Sequence, residues 1–134
     1  MMDAQNYPAT LPLAQNVIDV LSKVANATIT TILLKKGLRN VWIRGSRPLK
    51  PGQKRVVGRA FTLRFVPARE DLATPASWGA PISTRAAIEA MPEGCVTVVD
   101  AMGVTDAGIF GDILCARMAR RKIAALVTDG VMRD

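Results

Sequence analysis

The sequence predicts an α/β fold built on a parallel sheet. Residues 95–101 (CVTVVDA) form an uninterrupted run rich in β-branched side chains, which is typical of a strand buried on both faces. Residues 112–121 are predicted to form a helix, and residues 123–128 form a second buried strand. A strand, a helix and a strand in this order predict a βαβ unit with a right-handed crossover.

Length and composition agree with one folded domain. The chain has 134 residues, of which 49% are hydrophobic but only 4% aromatic, so the core must consist mainly of aliphatic side chains. We therefore expect residues 1–134 to belong to a single domain. Because the sequence stops at Asp134, directly after a strand, we also expect this domain to be incomplete at its C-terminus.

Two helices and a loop are predicted in the N-terminal part of the chain. Residues 10–24 carry apolar side chains at helical spacing, with Thr10 as the candidate cap. Residues 28–36 form a second helix, for which Thr28 is the candidate cap. Residues 41–54 contain prolines and a glycine that indicate turns. We interpret all three segments as scaffold.

Three further segments lead to the βαβ unit. Residues 56–66 alternate in polarity, which predicts a strand. Residues 67–81 form a long loop with several turn signals, and long loops of this kind often cover a site. Residues 82–91 predict a helix that is capped by Ser83 or Thr84.

The chain carries a formal charge of +7 at pH 7. Its basic residues are spread over three separate stretches, and Trp42 is the only aromatic residue close to any of them. Surfaces that bind nucleic acid usually cluster their cations and interleave aromatic side chains for stacking. The distribution of charge therefore disfavours a nucleic-acid partner, which we keep only as a third alternative.

The absence of histidine narrows the possible chemistry. It excludes nucleophile pairs of the Ser-His or Cys-His type and removes the commonest zinc ligand. If the protein uses a catalytic metal, carboxylates must hold it. Carboxylate ligands favour Mg²⁺ or Mn²⁺.

Cysteine usage and hydropathy predict a cytoplasmic protein. Cys95 and Cys115 lie in apolar segments without metal-ligand spacing, so we expect buried free thiols in a reducing compartment. Polar residues near the start of the chain argue against a signal peptide. No apolar run approaches the ~20 residues that a membrane span needs, so we expect no membrane partner.

The candidate site lies in residues 108–134. Gly111 and Asp112 open the predicted helix, and Arg133 and Asp134 follow the second strand of the βαβ unit. The carboxyl ends of strands and the N-termini of helices meet in one crevice of an α/β fold, where ligands bind. The first backbone N–H groups of the helix would face an anion there, and a small carboxylate would fit.

Each charged group near this crevice also has a simpler interpretation. Asp112 is either a helix N-cap or part of the anion site. Asp100 and Asp129 end apolar runs, so they are either turn formers or cation ligands. Arg133 and Asp134 are either an exposed ion pair or functional groups. Taken together, the carboxylates and the arginine favour a site for a hard cation and an anionic substrate.

The candidate site contains two motifs, G-x-F-G-D-x-L at residues 108–114 and D-G-x-x-R-D at residues 129–134. These motifs resemble the family of RraA-like proteins and class II 4-hydroxy-4-methyl-2-oxoglutarate (and 4-carboxy-4-hydroxy-2-oxoadipate) aldolases. Residues 57–62 (VGRAFT) agree, and residues 67–72 (PAREDL) are similar to the subgroup called ribonuclease activity regulator RraA. The resemblance implies a swivelling β/β/α sandwich that contains the βαβ unit. It also implies assembly into a homotrimer or a hexamer.

The resemblance further implies a role for each residue of the two motifs. Asp134 matches the residue that coordinates the divalent metal, Mg²⁺ or Mn²⁺. Arg133 matches the arginine that contacts the keto oxygen and stabilises the pyruvate enolate. Asp112 matches a residue near the water shell of the metal. The backbone that binds the pyruvate carboxylate is matched by Gly111, Asp112, Ile113 and Leu114. A further acidic group, which a neighbouring subunit supplies, has no counterpart in these 134 residues.

The activity implied by the resemblance is metal-dependent cleavage of small α-keto acids. A lyase of this type splits 4-hydroxy-2-keto diacids into pyruvate and a second keto acid, and it also decarboxylates oxaloacetate. The alternative is a non-catalytic regulator that binds a ribonuclease complex. The presence of both Arg133 and Asp134 favours the enzyme, because a regulator needs neither.

Overall fold

The computed structural model describes residues 12–133, so that Thr10 and Asp134 lie outside the described residues. Its elements in chain order are α1 (Gln15–Lys23), α2 (Asn26–Lys35), β1 (Ala60–Arg64), a 3-10 helix (Pro75–Gly79), α3 (Thr84–Ala90), β2 (Val96–Asp100), β3 (Gly108–Phe110), α4 (Asp112–Arg120), β4 (Ala125–Thr128) and β5 (Val131–Met132).

The larger sheet is parallel and has the strand order β1-β2-β4. Its central strand is β2, in which Val98 pairs with Thr62 of β1 and with Val127 of β4. The chain leaves β2, passes through α4 and returns in β4 as a parallel neighbour. The α/β class and the parallel βαβ arrangement predicted from the sequence are therefore confirmed.

A second, two-stranded sheet is formed by β3 and β5, which are also parallel. The sequence did not predict it, because strands of three and two residues are too short to show a period in hydropathy. This small sheet lies directly beside the predicted site, since β3 precedes α4 and β5 precedes Arg133.

Helix boundaries differ from the predictions where local backbone conformation decides them. Helix α2 begins at Asn26 after an extended Ala25, so the prediction of Thr28 as its cap is wrong. Thr28 is already helical, and its N–H donates to the carbonyl of Ala25 at 3.0 Å. The cap of α3 is confirmed as Ser83, whose hydroxyl accepts a hydrogen bond from the N–H of Ala86 at 3.2 Å.

The strands are shorter than predicted. Strand β4 begins at Ala125 rather than at residue 123, because the preceding turn still belongs to the end of α4. Lys122 has a left-handed φ of 57°, and the N–H of Ile123 donates to the carbonyl of Met118 at 3.0 Å. This pattern closes the helix before the chain extends.

The core lies between the larger sheet and helices α3 and α4. Its main members come from four different elements and are each at most 5% exposed: Ile88, Val99, Phe110 and Met118. Cys95 and Met91 complete the cluster, and Phe65 packs its ring edgewise on Phe110 at a centroid distance of 6.1 Å. Phe110 therefore ties the small sheet, and the site beside it, to the core.

The N-terminal helices contribute nothing to this core. Neither α1 nor α2 contains a buried residue, and Val20 and Leu34 are 63% and 51% exposed. Within residues 12–133, no single helix is long and apolar enough to cross a membrane, although the bent pair α1 and α2 passes that test by length and composition alone.

Candidate functional site

The N-terminus of α4 forms one side of the site. Gly111 precedes the helix in an extended conformation, and its carbonyl accepts the N–H of Cys115 at 3.0 Å. The first N–H groups of a helix have no carbonyl partner within the helix, so they remain available to a ligand. One of them is already used, because the N–H of Ile113 donates to Oδ1 of Asp112 at 2.6 Å.

Asp112 is the first residue of α4 and not its cap. Gly111 occupies the cap position and has no side chain, so the simpler interpretation of Asp112 as an N-cap is wrong. The carboxylate is exposed, and its negative charge is stabilised at the positive end of the helix dipole.

Arg133 forms the other side of the site. Its N–H donates to the carbonyl of Phe110 at 2.8 Å, which continues the ladder between β3 and β5 by one step. Phe110 is followed immediately by Gly111, so the ladder brings Arg133 next to the start of α4. The two motifs that are separated in sequence therefore meet in the fold.

A glycine makes this approach possible. A Cβ atom added to Gly108 would lie 2.5 Å from Cβ and 2.9 Å from Cα of Arg133. Such contacts are too short for any side chain, so only glycine allows β3 and β5 to pair at this distance. The position of Gly108 was visible in the sequence, but the pairing of β3 with β5, which explains why a glycine is needed there, was not.

The predicted site residues differ in exposure. Asp112, Ile113 and Arg133 are exposed, whereas Gly111 and Leu114 are half-buried. Ile113 is 79% exposed, so an apolar side chain lies at the edge of the site. Asp134, the predicted metal ligand, lies outside the described residues.

Asp100 serves as a turn former and an ion-pair partner. Its Oδ1 accepts the N–H of Met102 at 2.9 Å, and its Oδ2 lies 2.7 Å from Nε of Arg64. The N–H of Met102, together with the guanidinium of Arg64, lowers the pKa of this carboxyl group. Both oxygens are therefore engaged by the fold itself.

Asp129 also binds backbone. Its two oxygens accept the N–H groups of Ala101 and Gly103 at 2.7 and 2.8 Å. Within residues 12–133, no group of three or more Asp, Glu, His or Cys side chains is arranged to hold a metal ion. Of the two interpretations of Asp100 and Asp129, the structure therefore supports the role in binding turn and loop backbone.

The thiols do not provide a nucleophile for this site. Cys95 is buried, and Cys115 on α4 is half-buried; both are free. Burial, together with the nearby charge of Asp112, raises the pKa of the Cys115 thiol. A raised pKa keeps the thiol protonated at neutral pH, where it is a poor nucleophile.

Two surface cavities lie elsewhere. One, of about 350 Å³, is lined by Glu93 and by four cationic side chains at the C-terminal end of α4. The other, of about 450 Å³, lies between residues 12–18 and the strand-loop residues 57–59 and 92–95. Neither of these two cavities is lined by Gly111 or Arg133.

Known proteins resemble this chain in sequence and in fold. Residues 15–134 match the family described as RraA-like, Aldolase/RraA. Protein DlpA of Legionella pneumophila is 29% identical over 126 residues, which cover 93% of this chain and 18% of that protein.

Two solved structures share the fold. RraAS2 of Streptomyces coelicolor, described as an unusual member of the RNase ES inhibitor RraA protein family, superposes with a TM-score of 0.73 at 34% identity. That match covers 90% of this chain and 57% of the other. An uncharacterized protein from Pseudomonas syringae pv. tomato superposes with a TM-score of 0.70 at 28% identity, covering 96% of this chain and 54% of the other.

The chain thus spans a little more than half the length of these two structures and less than a fifth of DlpA. The family match nevertheless covers the described elements from α1 to β5, including both sides of the candidate site. The chain belongs to the RraA-like family.

Proposed function

We propose that the protein is a divalent-metal-dependent lyase that cleaves 4-hydroxy-2-keto diacids to pyruvate and a second keto acid. The observation that carries this proposal is the hydrogen bond between the N–H of Arg133 and the carbonyl of Phe110, at 2.8 Å. It brings a guanidinium-bearing residue next to a helix N-terminus, and both groups favour a bound carboxylate.

The substrate carboxylate binds at the start of α4. Backbone N–H groups there carry partial positive charge and are not consumed by the helix. The extended backbone of Gly111, without a side chain, permits close approach of the carboxylate. Leu114 supplies a backbone contact, and Ile113 supplies one once its N–H leaves Oδ1 of Asp112.

Arg133 acts on the neighbouring keto group. In the retro-aldol reaction the bond between C3 and C4 breaks, the 4-hydroxyl loses its proton, and the electron pair moves into the enolate of pyruvate. The enolate then takes up a proton at C3. A guanidinium beside the keto oxygen neutralises the charge that develops there, which lowers the barrier. Decarboxylation of oxaloacetate releases CO₂ and forms the same enolate.

The residues present suit a hard cation. The chain has no histidine, and the motif residues Asp112 and Asp134 offer only oxygen donors, which match Mg²⁺ or Mn²⁺. We assign direct ligation to Asp134 and contact through water to Asp112. When bound, the cation supplies Lewis-acid polarisation of the keto group. The lysine closest to the motifs, Lys122, lies past the C-terminal end of α4, which supports a route without a Schiff base.

We also propose that the site is completed at a subunit interface of a homotrimer or hexamer. Ile113 is 79% exposed and Met132 is 37% exposed, and both flank the site. Burial of these two apolar side chains would favour association at this edge of the site. A neighbouring subunit that covers them would also exclude water from the reacting groups.

A second candidate function is a non-catalytic regulator that binds a ribonuclease complex. The relationship to RraAS2, whose family is described as an RNase ES inhibitor family, supports it. This function makes no use of Arg133 at the start of α4, so it explains less of the geometry.

Turnover by the full-length protein separates the two functions. We expect pyruvate release from a 4-hydroxy-2-keto diacid or from oxaloacetate to require Mg²⁺ or Mn²⁺ and to stop in Asp134→Ala. Metal-independent turnover, or full activity of that variant, would contradict the proposal. No turnover of any keto acid, combined with tight ribonuclease binding, would support the regulator.

A further inference from the structure

We propose that Asp129 is a positioning residue whose carboxylate locks the β4–β5 turn to the loop after β2 and thereby fixes Arg133 relative to the start of α4. This inference rests on the proposed function for its kinetic consequence. Its structural part, the coupling between Asp129 and Arg133, can be tested without any turnover.

The carboxylate of Asp129 uses both oxygens on one loop. Oδ1 accepts the N–H of Ala101 at 2.7 Å, and Oδ2 accepts the N–H of Gly103 at 2.8 Å. A carboxylate can accept two such bonds, whereas an amide of the same shape offers one acceptor and one donor group. Asparagine at this position would therefore point an NH₂ group at one of the two N–H donors.

The turn and the loop also meet by close packing. A Cβ atom added to Gly130 would lie 2.6 Å from Cβ of Ala101, which is 3% exposed. Across the turn, the N–H of Gly130 donates to Oγ1 of Thr128 at 2.9 Å. Gly130 and the two hydrogen bonds of Asp129 together hold the turn in one position against the loop.

Both sides of the site follow directly from the contact between the β4–β5 turn and the loop after β2. The loop leads into β3, which ends at Phe110 directly before Gly111, and the turn leads into β5, which ends directly before Arg133. Only Gly130 lies between Asp129 and β5, and β5 itself has two residues, so few residues are available to absorb a displacement before Arg133. A shift at Asp129 is therefore transmitted to the distance between Arg133 and the start of α4, and small errors in such distances are costly to catalysis.

Asp129→Asn in the full-length protein tests the proposal through kinetics. We expect kcat for Mg²⁺-dependent decarboxylation of oxaloacetate to fall about tenfold while KM changes by less than about threefold, because Arg133 acts on the charge that develops after binding. The matched control is Glu89→Gln, which also removes a carboxylate that accepts several hydrogen bonds. Glu89 lies in α3 and binds Arg117 near the C-terminal end of α4, away from the site. This control should lower the melting temperature and leave kcat unchanged. An unchanged kcat in Asp129→Asn would overturn the kinetic part.

Hydrogen exchange tests the coupling independently of catalysis. In Asp129→Asn, the amide of Arg133, which bonds to Phe110 and not to Asp129, should exchange at least about tenfold faster, whereas in Glu89→Gln it should keep its rate. Unchanged exchange at Arg133 would overturn the proposal even if the wild-type protein shows no turnover. If the variant does not fold, hydrogen exchange of the wild-type protein tests the coupling instead. The amides of Ala101 and Arg133 should exchange through the same opening and should therefore have the same protection factor. Protection factors that differ more than about tenfold would also overturn it.

Discussion

The two ends of α4 use charge in opposite ways. At the C-terminal end, Glu89 of α3 accepts two hydrogen bonds from Arg117, at 2.7 and 2.8 Å, and one from Arg121 at 3.1 Å. At the N-terminal end, Asp112 accepts only the N–H of its neighbour Ile113 among the hydrogen bonds of the described residues. One end is closed by ion pairs between helices, and the other presents its polar groups outward.

This difference separates a structural region from a candidate functional one on the same helix. Cations near the C-terminal end of a helix suit the dipole and need no ligand to explain them, and here Glu89 of α3 pairs with Arg117 and Arg121. Around the first turn, by contrast, Asp112 and Ile113 are exposed, and Arg133 lies beside them. We therefore expect substitutions at the N-terminal end to affect turnover, and those at the C-terminal end to affect stability.

The largest effect is expected for Arg133→Ala. Removing the charge beside the keto oxygen should lower kcat/KM about 10²–10³-fold, the usual cost of losing one group that stabilises a developing oxyanion. Because Arg133 is exposed, the melting temperature should change little. The matched control is Arg120→Ala, an exposed arginine in the last turn of α4, which should keep full turnover. Equal losses in both variants, measured by steady-state kinetics, would remove the distinction between the two ends.

Gly108→Ala should have the next largest effect. The added methyl group would collide with the backbone of Arg133, which has little room to move, so we expect a loss of about 1–3 kcal/mol in the free energy of unfolding. Turnover should fall as well, because β5 must shift. Gly79→Ala is the control, since a Cβ there meets nothing within 4 Å. Urea denaturation of both variants measures the difference, and equal stabilities would show that β3 and β5 do not pair as described.

Glu89→Gln should produce a smaller effect, confined to stability. The amide loses the charge that pairs with Arg117 and Arg121, so the melting temperature should fall. Turnover should remain at the wild-type level because α4 is still anchored by Met118 in the core. A loss of kcat in this variant would show that the ion pairs at the C-terminal end control the site.

The smallest effect is a change in pH dependence. Hydrogen bonding and the charge of Arg117 lower the pKa of Glu89 from its ordinary value of 4.5. A lowered folded-state pKa contributes stability that is present above pH 4.5 and is lost as the pH falls through the folded pKa. Thermal melts between neutral pH and pH 3 should therefore show a shallower acid decline for Glu89→Gln than for the wild type. Parallel curves would mean that the pair contributes nothing.

The βαβ unit could be predicted from the sequence because its signals are local and strong. The run at residues 95–101 is long enough to indicate a buried strand, and Ser83 has a hydroxyl suited to capping a helix. The family motifs also pointed to Gly111 and Arg133. What the sequence did not show is why these two come together. The pairing of β3 with β5 depends on contacts between distant residues, such as Gly108 with Arg133, that leave no periodic pattern.

The roles of the acidic residues were harder to predict for a related reason. Asp100, Asp129 and Asp112 all follow or precede apolar elements, and composition alone does not distinguish a carboxylate that binds backbone from one that faces solvent. Only the fold shows that Asp129 accepts two N–H groups and that Asp112 remains exposed. The choice among them depends on tertiary hydrogen bonds.

A crystal structure of the full-length protein with Mn²⁺ and pyruvate tests the central claim most directly. We expect the pyruvate carboxylate on the backbone N–H groups at the start of α4, the keto oxygen beside Arg133, and Mn²⁺ on Asp134. Pyruvate and metal bound at another surface, or a start of α4 covered by the rest of the protein so that no ligand can reach it, would contradict the proposed keto-acid site.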